Sequence, residues 1–248
     1  MDNNPNYGAP KKWYKTAGGV VFLVFISLVI TMILVFAVFM MYYLWQIKFG
    51  DPVKLEQSFL NEAKQAQTVE KSIVIADYEK YVRAQNFSSG KATSLITVLA
   101  FVDYECPFTK KAYPSLQTVM EKYGTTVNVV FKNFPLQDIH PDAILAANAV
   151  LCAKEQNKFL QYQELVLSKD KLDNDSLISY AENLKMDVKK FSDCLTAENN
   201  LGVINQDLTD GLELGLRGTP TFFVNGEKYE GPLTIAEWDG IILKFLKK

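Results

Sequence analysis

The sequence predicts an α/β fold carried behind an N-terminal segment of different character, and three observations predict it. LITVLAFV at 95–102 is an apolar run rich in β-branched residues, and a helical stretch separates it from a second run, VNVVFKNF at 127–134. Helical periodicity then fills 141–216, with Ile144, Ala147 and Leu151 on one face and Phe159, Tyr162 and Val166 following. Strand character returns in TFFVNGEKYEG at 221–231, where Asn225 and Gly226 form a strong hairpin signal.

In chain order, the first ten residues are polar and rich in Asn, Pro and Gly, as in a disordered tail. From Val20 to Ile47 no residue is charged, and the run exceeds the roughly 20 residues that cross a bilayer as a helix. A cleavable signal peptide has an apolar region of only about 7–15 residues and a small-residue cleavage site, so an uncleaved anchor is predicted. Lys11, Lys12 and Lys15 precede the run, while Tyr42, Tyr43 and Trp45 suit the far interface. Positive-inside bias therefore predicts a cytoplasmic N-terminus and an exterior location for 51–248. Residues 1–50 carry a net +3 within a chain total of −2, leaving −5 for the remainder. With no basic stripe there, nucleic acid is not expected as a partner.

After the span, Leu55, Phe59, Ala63 and Ala66 fall at helical spacing, which predicts a stalk helix over 53–68. NFSSGKATS at 86–94 is turn-rich and separates this lead-in from the strands; its N-F-S glycosylation pattern is too short to carry weight. Strand 95–102 feeds the motif DYECPF, where Pro107 suits the first helical position and Cys106 the cap. The helix ends at Gly124, and Pro114 is expected to kink it. Strand, helix and strand within about 40 residues make a parallel crossover unit. IAEWDGIILKFLKK closes the chain as an amphipathic helix with lysines at its negative end. The organisation expected is a tail over 1–17, a transmembrane helix over 18–47 and a partly helical stalk over 48–92. An α/β domain then comprises 93–140 and 217–248, interrupted by an inserted all-α domain over 141–216.

The chemistry centres on Cys106. A helix start favours an anion through its unpaired N–H groups and dipole, and only a thiolate attacks a disulfide. A charged, solvent-reachable sulfur is therefore expected. Thr109 stands three residues on, where a redox pair would need a second cysteine, and its hydroxyl is expected to donate to the sulfur. Exchange proceeds through a mixed disulfide that a second thiolate must resolve, and Thr109 cannot do so. Release must come from the substrate's own thiol or from an external thiol. The competing reading is a buried, inert Cys106, the usual state of a free cysteine.

Cys152 and Cys194 lie in separate predicted helices, and in an oxidising compartment a structural disulfide is favoured. Closing the loop between them would stabilise the fold by roughly 4 kcal/mol on the chain-entropy model. The alternative makes one of them a distant resolving partner for Cys106. His140 is the only histidine; it is read as a helix-start residue contacting backbone, and a general-base role requires proximity to Cys106. One histidine and three scattered cysteines make no zinc site, and no cofactor is expected.

Three pieces in order, VLAFVDYECPF, VVFKNFPLQDIHPDAILAANAVLCA and GTPTFFVNG at 218–226, resemble the DsbA-like thiol-disulfide oxidoreductases. The resemblance spans about residues 90–248 and implies a thioredoxin-like fold with an inserted helical domain. It makes Cys106 the nucleophile, supported by Pro107, and implies a cis Pro220 facing the site with Thr219 before it. Some members also carry a second cysteine pair like Cys152 and Cys194. Thr109 departs from the family, which has Cys there, and this puts dithiol oxidase activity in question. The implied function is membrane-anchored thiol-disulfide exchange through Cys106 alone, isomerase-like or as an externally resolved reductase. Its partners are protein substrates with thiols or disulfides, an external thiol or redox partner, and the membrane through the N-terminal helix. The alternatives are a non-catalytic, chaperone-like client-binding module and a disulfide-linked dimer through Cys106.

Overall fold

A computed structural model describes residues 17–49, 74–197 and 199–247. The stalk helix expected over 53–68 lies outside the described residues. Two compact units divide the chain, Met1–Lys71 and Ser72–Lys248.

In the first unit, helix α1 (Ala17–Phe49) contains a stretch from Val20 to Tyr42 with mean hydropathy 3.1, long and apolar enough to cross a membrane. Its apolar side chains are exposed along that stretch, an arrangement suited to lipid.

In the second unit, five strands form one sheet: β1 (Phe87–Ser88), β2 (Ile96–Val102), β3 (Val127–Asn133), β4 (Thr221–Val224) and β5 (Glu227–Glu230), in the order β1-β3-β2-β4-β5. β2 and β3 pair in parallel from Ile96↔Val127 to Val102↔Asn133, joined by helix α2 (Pro107–Tyr123). The other pairings are antiparallel. Gly124 ends α2 as expected, and Pro114 lies inside it without interrupting the assigned helix. β1 falls in the stretch read as a turn-rich separator, where only two residues pair with β3; Phe87 stacks on Phe159 at 4.1 Å and so brings apolar area to that edge.

The unbroken apolar run of β2 follows from its place between two clusters. Val98, Ala100 and Val102 face a core that holds Leu116 and Val119 of α2. Leu99 and Phe101 face a smaller one with Val130, Phe134 and Phe223. A central strand covered on both faces cannot alternate apolar with polar residues.

Five helices fill 143–213: α3 (Ala143–Glu155), α4 (Phe159–Leu167), α5 (Asn174–Asn183), α6 (Val188–Ala197) and α7 (Leu201–Glu213). Val150, Tyr162 and Phe191 from this block belong to the same apolar cluster as the first face of β2. The Cys152–Cys194 disulfide ties α3 to α6 across a separation of 42 residues, so the favoured pairing is the one formed and the link to Cys106 is not. Helix α8 (Ile235–Leu246) starts with a capping box between Thr234 and Glu237 and buries Trp238 against Phe222.

α7 is fixed to β3 by charge as well. Lys132 is fully buried, with Nζ 2.7 Å from Asp207 and 2.7 Å from Asp210. Arg83 pairs with Asp210, and Asn86 donates to Asp207. Two cations thus meet two carboxylates, which is what burial of such groups requires.

Candidate active site

β2 and β3 end side by side at Val102 and Asn133, and the crevice beyond the carboxyl ends of parallel strands is where an α/β sheet presents its site. From Val102 the chain turns through 103–106 into α2. Cys106 is the N-cap residue with extended backbone (φ −63°, ψ 123°), and Pro107 occupies the first turn, where its missing N–H costs nothing. The turn closes with the amide of Cys106 donating to the carbonyl of Asp103 at 3.2 Å.

The sulfur lies against the loop before β4. Its S–H donates to the carbonyl of Thr219 at 3.2 Å, and the Thr219–Pro220 peptide is cis. A thiolate has no proton to give that carbonyl, so ionisation trades this bond for the field of the α2 amino end. The sulfur makes no capping hydrogen bond in the first turn of α2.

Two expectations need correction. Cys106 is only 3% exposed, so its sulfur is not open to solvent; the Thr219 carbonyl lies directly against it. The hydroxyl of Thr109 does not donate to the sulfur either: it is buried with no hydrogen-bond partner among the described residues, as is that of Thr219. The thiol proton goes to a backbone carbonyl instead, leaving the Thr109 hydroxyl out of the bond.

Beside the sulfur lies an open cleft of about 360 Å³ lined by residues including Phe108, Arg217, Thr219, Pro220, Glu230 and Pro232. Phe108, in the first turn of α2, is 58% exposed. The site therefore joins a screened sulfur to an accessible aromatic rim.

Sequence reasoning missed what holds the turn in place. The Asp103 carboxylate is fully buried and accepts from the amides of Glu105 and Leu136, both at 2.9 Å, and from Nδ1 of His140 at 2.8 Å. An ionised carboxylate only accepts, so Nδ1 carries the proton in this pair. Glu105 reaches the other way and accepts from the amide of Asp142, the N-cap residue of α3, at 2.8 Å. His140 thus binds a buried carboxylate through its ring, which corrects the reading of a backbone contact. The available signal was the recurrence of Asp, Glu and His in DYE and IHPD, but nothing local says that these segments meet.

Tyr104 sits in the same turn and donates to Gln163 of α4 at 3.1 Å. Burial pushes its phenol well above the ordinary tyrosine value, and pushes Tyr113 up to about 12, so neither is an acid or base near neutrality.

A thioredoxin family model matches residues 82–244. The chain belongs to the thioredoxin family. Its fold is thioredoxin-like, and Thr109 stands three residues after Cys106 in the first turn of α2. Among solved structures similar to this thioredoxin-family chain is a thioredoxin-like oxidoreductase from Silicibacter pomeroyi DSS-3, with a TM-score of 0.63 at 19% identity over 70% of this chain and 99% of that one. The thiol-disulfide exchange protein alpha-DsbA2 from Wolbachia pipientis gives 0.62 at 18% identity over 68% and 92%. The Na(+)/H(+) antiporter NhaA 3 of Salinispora tropica is 37% identical over 147 residues, 59% of this chain; the match covers 22% of that protein's length.

Proposed function

We propose that this chain is a membrane-anchored, extracytoplasmic thiol-disulfide exchange protein that works through Cys106 alone. The observation that carries the reading is the position of that sulfur, at the cap of α2 and 3.2 Å from the carbonyl that precedes cis-Pro220. α1 serves as the anchor, and the lysines before it support a cytoplasmic N-terminus. The cysteine pairing of Cys152 and Cys194 supports an oxidising compartment.

The Cys106 thiolate attacks one sulfur of a substrate disulfide, forming a mixed disulfide and releasing the substrate's other sulfur as a thiolate. In isomerisation another substrate thiolate attacks the substrate sulfur of that bond, freeing Cys106 with no net change of oxidation state. In reduction an external thiol attacks the same sulfur and a second equivalent converts the resulting mixed species to its disulfide, so two electrons reach the substrate. Thr109 takes part in neither step as a nucleophile; with Pro107, Thr219 and Pro220 it shapes the surroundings of the sulfur.

Acid quenching of native membranes followed by non-reducing mass spectrometry tests the reading. Disulfide-linked adducts on Cys106 are expected, and Cys106→Ala is expected to remove them. A wild-type protein carrying none under any thiol supply would sink it.

A second reading has its own support: the sulfur is screened while Phe108 stands exposed beside the cleft. On that reading the cleft holds unfolded clients, and Cys106→Ala leaves client binding and suppression of aggregation unchanged.

A further inference from the structure

The Cys152–Cys194 disulfide, read so far as a tie between α3 and α6, is asymmetric in its surroundings. Cys152 is 1% exposed and Cys194 8%. Cys194, but not Cys152, lines a surface cavity of about 380 Å³ together with Glu155, Gln156, Lys190, Asp193 and Asn199. One cysteine thus borders an open space lined by charged and amide side chains, and its partner does not.

Asn200 adds a second observation. Its Nδ2 lies 3.5 Å from each sulfur and 3.1 Å from the side-chain oxygen of Asn148, so the amide donates into the disulfide itself. Asn200 is also the N-cap residue of α7, where its side chain makes no capping bond; its amide is shared between the two sulfurs and the Asn148 oxygen. A donor and a helix amino end beside a disulfide stabilise whichever sulfur leaves as a thiolate. A tie that served only to close a chain loop would need neither a cavity beside one cysteine nor a donor at both sulfurs.

We propose that this disulfide is a second centre of thiol-disulfide exchange, opened by low-molecular-weight thiols that enter the cavity and attack Sγ of Cys194. In the first step a thiolate bonds to Sγ of Cys194, the S–S bond breaks, and Cys152 leaves as a thiolate that retains the Asn200 donor and then takes a proton. In the second step another equivalent of the small thiol attacks the sulfur of the first, forming the small-molecule disulfide and releasing Cys194. Two electrons pass from two small thiols to the protein disulfide, which ends as two thiols. The polarity is fixed by access: attack at Cys194, departure at Cys152.

The test uses the full chain in detergent, folded, with Cys106→Ala so that the result does not depend on the site proposed above. With excess reduced glutathione and an acid quench, intact mass is expected to rise by one glutathione, mapping to the peptide of Cys194 with Cys152 free. Asn200→Asp retains a good N-cap residue but replaces the donor with a carboxylate, and is expected to slow opening by about tenfold. An adduct on Cys152, an adduct formed only after denaturation, or an Asn200→Asp rate equal to the parent's would each overturn the proposal. Failure here leaves the reading of Cys106 intact, since that residue is absent from the assay.

Discussion

At the residue scale, the main determinant of the proposed chemistry is Thr109, which lies three residues after Cys106 and brings no second thiol to the turn. Positions 106 and 109 are the cap and third residue of one helix, a spacing at which Cα atoms lie within the roughly 4.4–6.8 Å that a disulfide spans. Thr109→Cys is therefore expected to oxidise, bonding the introduced sulfur to that of Cys106; the readout is loss of the free thiol and a mass lower by two hydrogens than that of the fully reduced variant. The turn itself depends on His140. His140→Ala strips one donor from the buried Asp103 carboxylate and is expected to cost about 1–3 kcal/mol in urea titration, whereas His140→Asn, which can present an amide donor, should recover most of it. Local rules made Cys106 and Pro107 legible, because a proline at a helix start declares itself within a few residues, whereas Pro220 came from the family resemblance alone. The bond of His140 to Asp103 spans 37 positions and depends on β2 and β3 ending side by side, which no local pattern encodes.

Among the elements, the parallel pair, the helix between them and the hairpin were readable because each has its own periodicity or turn residue. The hairpin turn shows how firmly such a signal is used. Asn225 and Gly226 both have positive φ (45° and 85°), and the Asn225 side chain accepts from the amide of Thr97 at 2.8 Å, joining the turn to β2. A Cβ on Gly226 would meet the carbonyl oxygen of Ile75 at 2.2 Å. Gly226→Ala is accordingly expected to destabilise the second unit by more than about 1 kcal/mol, read from its denaturation midpoint. β1 was missed because a two-residue strand has no period to detect. Lys132 carries no local sign of burial within the run VNVVFKNF; its burial depends on Asp207 and Asp210, which arrive from a helix more than 70 positions away. Lys132→Met would leave two buried carboxylates short of a cation and is expected to cost about 3–5 kcal/mol.

For the whole molecule, the same ionic cluster sets a pH dependence. Burial opposes ionisation of Asp210, but hydrogen bonds from Arg83, Lys132 and Gln206 outweigh it and hold the carboxyl at about 2, below its ordinary 3.8. A folded value below the unfolded one gives a stabilisation that is complete above pH 3.8 and is lost as pH falls towards 2. Acid titrations of stability should lose that part of their slope in Asp210→Asn. The division into an apolar N-terminal segment and an α/β remainder was plain from composition, since a long uncharged run has few other uses. That the helical block shares one apolar cluster with the sheet was not plain, because a periodic face says that a helix is covered without saying by what.

The central claim is that exchange at the start of α2 runs on one sulfur, and the most direct measurement counts leaving groups. Folded, fully reduced-and-reoxidised protein with its Cys152–Cys194 bond intact is mixed with excess of an aromatic disulfide that releases a coloured thiolate. The account predicts one thiolate per chain and a stable mixed disulfide on Cys106, with further release only when an external thiol is added. Two thiolates per chain without added thiol, or none from a protein that remains folded, would contradict it.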